Sequence, residues 1–297
     1  MPKENAFPKA SIVIAAFNNA ATLERVLNAM LKLDYPNDFE IIVVNDGSTD
    51  NTKEMLEERF GKEKKIKTIN MQNSGVSKAR NAGIKISRYD FVVNMDHDCI
   101  PEKDWLRDMM KGFDSEKVGI VSAYDYYGGT STAFRKELLE RVGGYDEQYF
   151  YYREDTDLSF KIMDLGYEFK LVKAKYLHDH KMVKPRGFWQ FARHVWQRLN
   201  YHQNDVLLYK KHPNKITQEF LHIKYGFLVN PYWDFSVATG LWQKGGKMEL
   251  SSPRGITFLE NKTIFHSIII IIAGILYVIA VKLFRLYGSI KFGKFLI

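Results

Sequence analysis

Apolar and polar positions follow two periods along the first half of the chain. Apolar runs of strand type, such as Ser11–Phe17 and Glu40–Asn45, are each followed by apolar residues at helical spacing. Further runs of strand type are 67–71, 90–95 and 118–123, and further helical segments are 74–86, 105–110 and 136–141. Strands that alternate with helices form βαβ units with right-handed crossovers. The pattern therefore predicts an α/β fold with a mainly parallel sheet flanked by helices.

Polar side chains follow several of these strands. Asn18 follows the first run, Asp46 the second, and Asp96 and Asp98 the fourth. Ligands of open α/β sheets bind just beyond the carboxyl ends of the strands. Alternate residues of an extended chain share a face, so the two carboxylates can point at one ligand. Two carboxylates suit Mg²⁺ or Mn²⁺ bound together with a phosphate-bearing substrate. An acidic turn is the alternative for the pair alone, but the convergence of several polar strand ends favours a ligand crevice.

A second acidic cluster comes later, where Glu154, Asp155 and Asp157 follow an aromatic stretch. Repulsion among these carboxylates can raise a pKa toward that of a general base. The alternative is structural, because Asp155 or Thr156 could cap the following helix and Asp157 would favour its N-terminal dipole. Both interpretations can hold, since a helix N-terminus could also orient an acceptor.

Two histidines end the strand-like segment Phe169–Leu177. An imidazole at a strand end that faces an acidic metal site could supply a third ligand. A purely structural role is about equally compatible with the pattern. The sequence leaves open whether His178 or His180 would meet the metal.

Composition narrows the class of protein. The chain has 297 residues, of which 45% are hydrophobic and 26% charged, which predicts a folded protein. Cys99 is the only cysteine, so no intramolecular disulfide can form and a reducing compartment is expected. Residues 1–10 carry no apolar segment of a secretory signal, so we expect none.

The net charge of +8 is unevenly distributed. Residues 181–297 carry 17 Lys and Arg against 5 Asp and Glu, a formal charge of +12, and residues 1–180 carry −4. An acidic first part fits a metal site, and a basic, aromatic-rich last part fits an anionic surface.

The basic last part contains a helical segment, Gly187–Leu199, with aromatic and basic residues at helical spacing. Its Arg193 and Arg198 are candidate contacts to a diphosphate or an acceptor. An amphipathic helix that packs its aromatic residues on the preceding domain explains the same pattern equally well.

A hydrophobic segment near the end, Ile264–Val281, has 18 residues. At about 1.5 Å per residue it covers roughly 27 Å, which is barely a bilayer core. A buried core helix is the alternative, and the run of isoleucines favours the membrane. The aromatic stretch 225–242, interrupted by Pro231 and Asp234, cannot span but suits the headgroup zone.

Topology leaves two arrangements open. Basic residues after the hydrophobic segment place the tail in the cytoplasm by the positive-inside rule, so a single span would put the preceding residues outside. In the first remaining arrangement, the hydrophobic segment is a shallow or re-entrant anchor. In the second, the aromatic stretch also enters the membrane. In either case we expect membrane association with the first domain on the cytoplasmic side.

Five motifs in order make residues from about 10 to 185 resemble the family-2 glycosyltransferases of the GT-A fold. They are Ser11–Asn18 with the helix after it, Val44–Asp50, Ser74–Ile84, Asp96-His97-Asp98, and Gly143–Asp146 with Glu154–Leu158. Each motif is moderately specific alone, and the ordered set is highly specific. The resemblance implies a Rossmann-like GT-A sheet. Together with the composition of the last third, the sequence predicts a catalytic domain at 1–215, an aromatic and basic interfacial region at 216–260, and a membrane helix with a basic tail at 261–297.

The resemblance also implies roles for individual residues. The nucleotide-sugar-binding residues would be Ala16, Phe17, Asn18, Asp46, Arg80, Asp96 and His97. Among them, Asp46 would contact the base and Arg80 would support the base and ribose pocket. Two departures, Asn45 where an acidic residue is commoner and Lys161 where arginine is usual, weaken any inference about which base or sugar is held.

Metal and catalytic roles follow in the same way. Asp98 would bind a Mn²⁺ or Mg²⁺ ion that bridges the diphosphate, Asp96 would hold the ribose or the metal shell, and His178 would complete that shell. Asp155 would be the base that deprotonates the acceptor hydroxyl, with Glu154 beside it.

The predicted function is metal-dependent, inverting transfer of a hexosyl group. The donor would be a nucleoside diphosphate sugar, with UDP-sugars favoured, and the acceptor a hydroxyl of a lipid-linked glycan or polysaccharide. Inversion is preferred because one general base suffices for it, whereas double displacement needs a second carboxylate as nucleophile. Expected partners are donor, acceptor and membrane lipids. The isoleucine run argues against nucleic acid, and the oligomeric state is left open. A non-catalytic nucleotide-sugar-binding scaffold or sensor at the membrane is the alternative.

Overall fold

The computed structural model describes residues 7–125, 127–179, 187–241 and 263–297. The chain forms two compact units, Met1–His180 and Lys181–Ile297. The first unit therefore ends before residue 215, where the sequence places the end of the catalytic domain. That domain division stays a prediction, and residues 242–260 of its interfacial region, like His180, lie outside the described residues.

The first unit alternates strands and helices as the periodicity predicts. Its strands are β1 (Ala10–Ala16), β2 (Phe39–Asp46), β3 (Ile66–Met71), β4 (Phe91–Asn94), β5 (Cys99–Pro101), β6 (Val118–Ser122), β7 (Thr132–Arg135), β8 (Glu168–Leu171) and β9 (Tyr176–His178). Its helices are α1 (Ala20–Met30), α2 (Thr52–Phe60), α3 (Val76–Ile86), α4 (Trp105–Met110), α5 (Lys136–Arg141) and α6 (Glu154–Asp164). The α/β class is thereby confirmed.

The main sheet has seven strands in the order β3-β2-β1-β4-β7-β6-β8. Strands β1 to β4 pair in parallel, and β7 is antiparallel to both of its neighbours. The mainly parallel sheet is as predicted. The pattern does not predict β7, because its four residues form too short a run to be recognised as a strand. The predicted segment 169–177 is wrong as a single strand. It divides into β8 in the main sheet and β9, which pairs with β5.

Strands near the centre are apolar on both faces because helices cover both. Every residue of β2 is buried, and so are most residues of β1. The helix α3 packs on one of these faces through Gly83, where an added Cβ would lie 2.4 Å from Cγ1 of Val13 and 3.3 Å from Cγ2 of Val44. The absence of a side chain at Gly83 therefore lets α3, which carries Arg80, approach the sheet closely.

Gly83→Ala should destabilise the first unit by about 1–3 kcal/mol, because the methyl group overpacks the contact with Val13. The direction of the change in the free energy of unfolding is informative, since Gly→Ala inside an unobstructed helix usually stabilises by about 0.5–1 kcal/mol. Chemical denaturation of the two proteins measures the difference. The double variant with Val13→Ala should recover part of the loss, and a more stable single variant would contradict this account of the packing.

The second unit is mainly helical. Its described elements are α7 (Phe188–Asn200), α8 (Gln203–Lys211), α9 (Lys215–Phe220), β10 (Ile223–Lys224), β11 (Leu228–Val229), α10 (Pro231–Thr239) and α11 (Ile264–Phe292). Pro231 does not interrupt the aromatic stretch as a helix breaker but starts α10, where its missing N–H is not needed. Among the described residues, α11 is the one helix long and apolar enough to cross a membrane by length and composition.

The helix α11 continues well past Val281, where the hydrophobic segment of the sequence ends. The charges that follow are paired within the unit. Arg285 Nε lies 3.1 Å from Asp205 Oδ2 of α8, and Arg285 Nη1 lies 2.6 Å from Asp234 Oδ2 of α10. Lys282 lies 3.3 Å from the same oxygen of Asp234. Because these partners neutralise the cations, the helix extends over 29 residues.

Candidate active site

The ends of β1 and β2 are tied together by side-chain hydrogen bonds. Asn18 follows β1 in the left-handed conformation, with φ of 51°, and its Oδ1 accepts from the backbone N–H of Thr49 at 2.7 Å. Ser48 Oγ accepts from the N–H of Asn18 at 3.1 Å. The sequence is right to place Asn18 beside the loop after β2, and these contacts hold that loop in place.

Asp46, at the end of β2, is buried and fully engaged. Its Oδ1 accepts from the N–H of Ser74 at 2.9 Å, and its Oδ2 accepts from the N–H of Gly75 at 2.9 Å. The carboxylate thereby fixes the turn that starts α3. The predicted contact of Asp46 with a nucleotide base stays a prediction, and holding this turn is a positioning role that the sequence does not reveal.

Two further predicted donor residues lie near the end of β1. Ala16 is buried as the last residue of the strand, whereas the ring of Phe17 is 43% exposed and can cover a planar group. The ring Nδ1 of His97 lies 3.2 Å from the carbonyl oxygen of Ala15, which brings the acidic turn against β1. Phe17, His97 and Asn18 therefore lie around one edge of the sheet, where the strand-end pattern places Asn18.

Asp96 and Asp98 do not share the face of an extended strand, which corrects the geometric expectation. The strand β4 ends at Asn94, and the two carboxylates lie in the turn before β5. Asp96 Oδ1 accepts from Arg80 Nη2 at 3.0 Å, whereas Asp98 Oδ2 lies 3.5 Å from His178 Nε2. The turn thus points one carboxylate at α3 and the other at β9.

Arg80 is the centre of the acidic cluster. Its buried guanidinium lies among three carboxylates, with Nη2 on Asp96, and with Nη1 2.8 Å from Asp155 Oδ1 and 3.6 Å from Glu154 Oε1. Burial alone would lower the pKa of Arg80, but the carboxylates around it, Asp155 first, raise that pKa well above its usual value. Its predicted role in the base and ribose pocket stays a prediction. The contacts add a structural role, since Arg80 connects the turn of Asp96 to the start of α6.

Glu154 and Asp155 are the first residues of α6, so the helix starts earlier than a cap at Asp155 or Thr156 would place it. Tyr152 and Arg153 precede them with positive φ angles of 76° and 79°. Such backbone is unfavourable for residues with a side chain and occurs preferentially at functional sites. The carboxylates of Glu154, Asp155 and Asp157 all lie in the first turn of α6.

The two oxygens of Asp155 differ in their surroundings. Oδ1 accepts from Arg80 at 2.8 Å and from the hydroxyl of Tyr145 at 3.1 Å. Oδ2 makes no hydrogen bond among the described residues, and the side chain is 18% exposed. By contrast, Oε2 of Glu154 is buried and has no hydrogen-bond partner in the described part of the chain. Asp155 is therefore the carboxylate of this pair that a ligand can reach.

Burial raises the pKa of both carboxyls above the ordinary values. For Asp155 burial is the largest cause, Arg80 opposes it and Asp96 adds to it. For Glu154 burial is again the largest cause and the charge of Asp155 adds to it. The repulsion expected from the sequence is present, but loss of solvation contributes more to the shift.

Close packing holds Asp155 in place. An added Cβ at Gly128 would lie 2.5 Å from Cβ of Asp155, and Gly128 has a φ of 122° that favours glycine. Tyr145, which donates to Asp155, accepts from Asn94 Nδ2 at 2.7 Å. The sequence misses Tyr145 and Asn94 as site residues, although the Gly-Gly-Tyr-Asp motif at 143–146 is a signal for the tyrosine.

A second group of side chains could hold a metal ion. Ligand atoms of Asp98, Cys99 and His178 lie within 4.8 Å of one another, because β9 pairs with β5 and places His178 opposite Cys99. Burial raises the pKa of the Cys99 thiol, so it stays protonated and is a poor ligand. The carboxylate of Asp98 and the imidazole of His178 fit a Mn²⁺ ion with open positions for other ligands. Asp96, the third predicted ligand, accepts from Arg80 through Oδ1, and its role at the metal stays a prediction.

Arg193 and Arg198 lie on α7 of the second unit. Their predicted contacts to a diphosphate or an acceptor stay predictions.

The parallel sheet, with its acidic residues gathered at the strand ends, defines an α/β protein of the GT-A class. Residues 11–181 match the model of the family described as Glycosyl transferase family 2. The chain belongs to that family, which confirms the resemblance inferred from the motifs.

Individual relatives are more distant. The chain is 28% identical to a probable glycosyltransferase, YdaM, of Bacillus subtilis, over 65% of this chain and 55% of that one. It is 29% identical to a poly-beta-1,6-N-acetyl-D-glucosamine synthase of Staphylococcus epidermidis, over 54% of this chain and 47% of that one. The chain thus spans about half the length of the curated relatives that it matches.

A solved structure has the same fold. It is the mannosyltransferase PcManGT from Pyrobaculum calidifontis in complex with GDP-Man and Mn²⁺, with a TM-score of 0.62 and 18% identity. The alignment covers 97% of this chain and 90% of that one.

Proposed function

We propose that the chain is a metal-dependent, inverting glycosyltransferase of the hexosyl-transferring type. The observation that carries the proposal is the state of Asp155. One of its oxygens is held by Arg80 and Tyr145, and the other makes no hydrogen bond among the described residues. Through Arg80, that carboxylate is fixed relative to Asp96 at the strand ends, where ligands of this sheet architecture bind.

The proposed reaction needs one base. The acceptor oxygen attacks the anomeric carbon of the donor, and its proton passes to Oδ2 of Asp155. The bond from the anomeric carbon to the diphosphate oxygen breaks, and the nucleoside diphosphate leaves with the bonding electrons. Arg80 and Tyr145 keep Asp155 oriented throughout, which reduces the entropy lost on reaching the transition state. A direct displacement of this kind inverts the anomeric centre.

Asp98 and His178 are the residues proposed to hold the divalent ion, Mn²⁺ or Mg²⁺. When bound, such an ion would neutralise the negative charge that develops on the leaving diphosphate. The short separation of the two side chains supports the assignment. Asp96 would hold the ribose or complete the metal shell, and Phe17, Asn18 and Asp46 would hold the base or its loop.

The donor is proposed to be a nucleoside diphosphate sugar, with UDP-sugars expected first. The similarity to a protein solved with GDP-Man and Mn²⁺ supports the general class of donor. The acceptor is proposed to be a hydroxyl of a lipid-linked glycan or polysaccharide, which the relationship to a polysaccharide synthase supports. The catalytic unit is proposed to act on the cytoplasmic side of a membrane.

Thermal denaturation with UDP, GDP, dTDP and CMP, with and without Mn²⁺, tests the donor class. A ligand that binds only the native state raises its melting temperature by mass action. We expect a Mn²⁺-dependent rise with one nucleoside diphosphate, followed by release of that diphosphate from the matching sugar donor when membrane lipid extract is added. Binding without any turnover would instead support a nucleotide-sugar sensor, and no binding of any nucleotide would refute the proposal.

A further inference from the structure

The helix α11 has an unusual distribution of side chains, because its exposed face is apolar from end to end. Large apolar residues that are at least 36% exposed recur every three or four positions. They include Ile264, Ile268, Ile275, Ile279, Leu286 and Ile290. We call this exposed row, from 264 to 290, the outward stripe. A helix on the surface of a protein in water normally has charged and polar residues on that face.

The opposite face of α11 is fixed to the rest of its unit by buried ion pairs. The side chain of Arg285 is 4% exposed and pairs with Asp205 and Asp234, which are also buried. An added Cβ at Gly288 would lie 3.0 Å from Cα of Gln203, so α8 packs closely against this face. Removing one partner of a buried ion pair is strongly unfavourable, and these pairs therefore determine which face points outward.

Aromatic residues of two neighbouring helices widen the apolar surface. Trp196 of α7 is 64% exposed. Its ring packs edge-on against that of Phe284 of α11, and the two ring centroids are 5.0 Å apart. On another side, Tyr232 of α10 lines a shallow apolar groove together with Ile275 and Ile279. Trp and Tyr are the side chains that favour the boundary between lipid and water.

The charge of the second unit indicates what binds to this apolar surface. Residues 181–297 have a formal charge of +12 and only five acidic residues, of which Asp205 and Asp234 are buried against Arg285. Among the described residues of this unit, ten are Lys or Arg and three are Asp or Glu, so its described surface is basic and complementary to anionic lipid headgroups. The same charge on two copies of the chain would oppose their association through this face.

We propose that α11 lies lengthwise on a membrane that contains anionic lipid, with the outward stripe at the boundary between headgroups and acyl chains. A span centred on Ile264–Val281 would leave Leu283, Leu286 and Ile290 outside the hydrocarbon. In the plane of the membrane, the whole stripe of roughly 39 Å contacts lipid, whereas a bilayer core is about 30 Å thick. This inference does not depend on the proposed transfer reaction.

Flotation of the full chain with vesicles tests the binding surface. We expect strong binding to phosphatidylcholine vesicles that contain roughly 30% phosphatidylglycerol and weak binding without it, because anionic headgroups attract basic surfaces. Ile268→Glu and Leu286→Glu should each weaken binding at least about tenfold, because each would place a charge among the acyl chains. Asn28→Glu, at an exposed position of α1 in the first unit, is the matched control and should bind as the parent does.

Depth measurements distinguish a helix α11 that lies on the membrane from one that spans it. Cys99 is buried, so a single reactive cysteine can be introduced at Ile268 or Leu286 and labelled with an environment-sensitive dye. These positions are five helical turns apart on one face, or roughly 27 Å along the axis. Depth-dependent lipid quenchers should report the same shallow depth for both labels. A deep label at 268 with an aqueous label at 286 would refute the proposal in favour of a span. Absence of lipid quenching, together with dimers in solution, would refute it in favour of a second copy.

Discussion

Asp155→Asn should lower the turnover number about a thousandfold, within the usual range for loss of a general base. The substitution keeps the shape of the side chain, and its amide oxygen can still accept from Arg80 and Tyr145. The geometry of the site is therefore preserved, while the proton acceptor at Oδ2 is lost. The affinity for the nucleotide should change less than about threefold, because the proposed base acts on the acceptor and not on the donor.

Glu154→Gln provides the matched comparison, since it makes the same chemical change at the next residue. Its Oε2 is buried, so this variant should lose much less activity than Asp155→Asn. Single-turnover release of nucleoside diphosphate, together with calorimetric titration of the nucleotide, separates catalysis from binding. If the order of the two losses were reversed, Glu154 would be the base and Asp155 its support.

The pH dependence follows from the environment of Asp155. Burial raises the pKa of its carboxyl, and only the ionised form can accept a proton. The turnover number of the parent protein should therefore fall as the pH is lowered through that raised pKa, at a higher pH than an ordinary aspartate would give. The residual activity of Asp155→Asn should not show this fall at low pH. A parent profile that stays level down to the pH of an ordinary aspartate would contradict the assignment.

Asp98→Ala should abolish the Mn²⁺-dependent part of nucleotide binding and lower the affinity in Mn²⁺ at least about a hundredfold. Mutation of a residue that only supports a metal ligand already lowers metal affinity by up to about a hundredfold, and Asp98 is proposed to be a ligand itself. The fold should tolerate the change, since the backbone carbonyl of Asp98, which accepts from Asp179 at 2.8 Å, is retained. Titration of the diphosphate with and without Mn²⁺ measures the effect. The metal-independent remainder of the affinity should be unchanged.

Asp38→Ala is a suitable control, because Asp38 forms an exposed pair with Lys9 and the change in charge is the same. His178→Ala should reduce the Mn²⁺ response in the same direction as Asp98→Ala. If Asp98→Ala kept the full response to Mn²⁺, the acidic turn would have only a structural role.

The positions of several candidate site residues can be predicted from local sequence. The strand-end residues Asn18, Asp46 and Asp96 lie on the first unit where the periodicity places them, because the carboxyl ends of parallel strands meet at one edge. The acidic residues at 154–157 do start a helix. These features depend on neighbours a few positions away, and hydrophobic periodicity reports such neighbours directly.

Local sequence patterns do not predict contacts between segments that are distant in the chain. Arg80 and Asp155 are 75 positions apart, and their pairing depends on how closely α3 packs on the sheet at Gly83. The approach of His178 to Asp98 likewise depends on the pairing of β9 with β5, two strands of three residues each. Strands this short carry too little period to predict a register, so the sequence offers His178 as a ligand by residue type and position but does not place it beside Asp98.

The long helix near the chain end shows both sides of this division. The sequence by itself determined that residues 264–281 are helical and apolar, since composition and period suffice for that. Only the tertiary structure decided that the helix continues to Phe292 and which face it exposes. The physical reason is that Lys282 and Arg285 end a hydrophobic segment when considered alone, but not when Asp205 and Asp234 neutralise them. Those partners come from separate helices, and their positions are determined by folding of the whole unit.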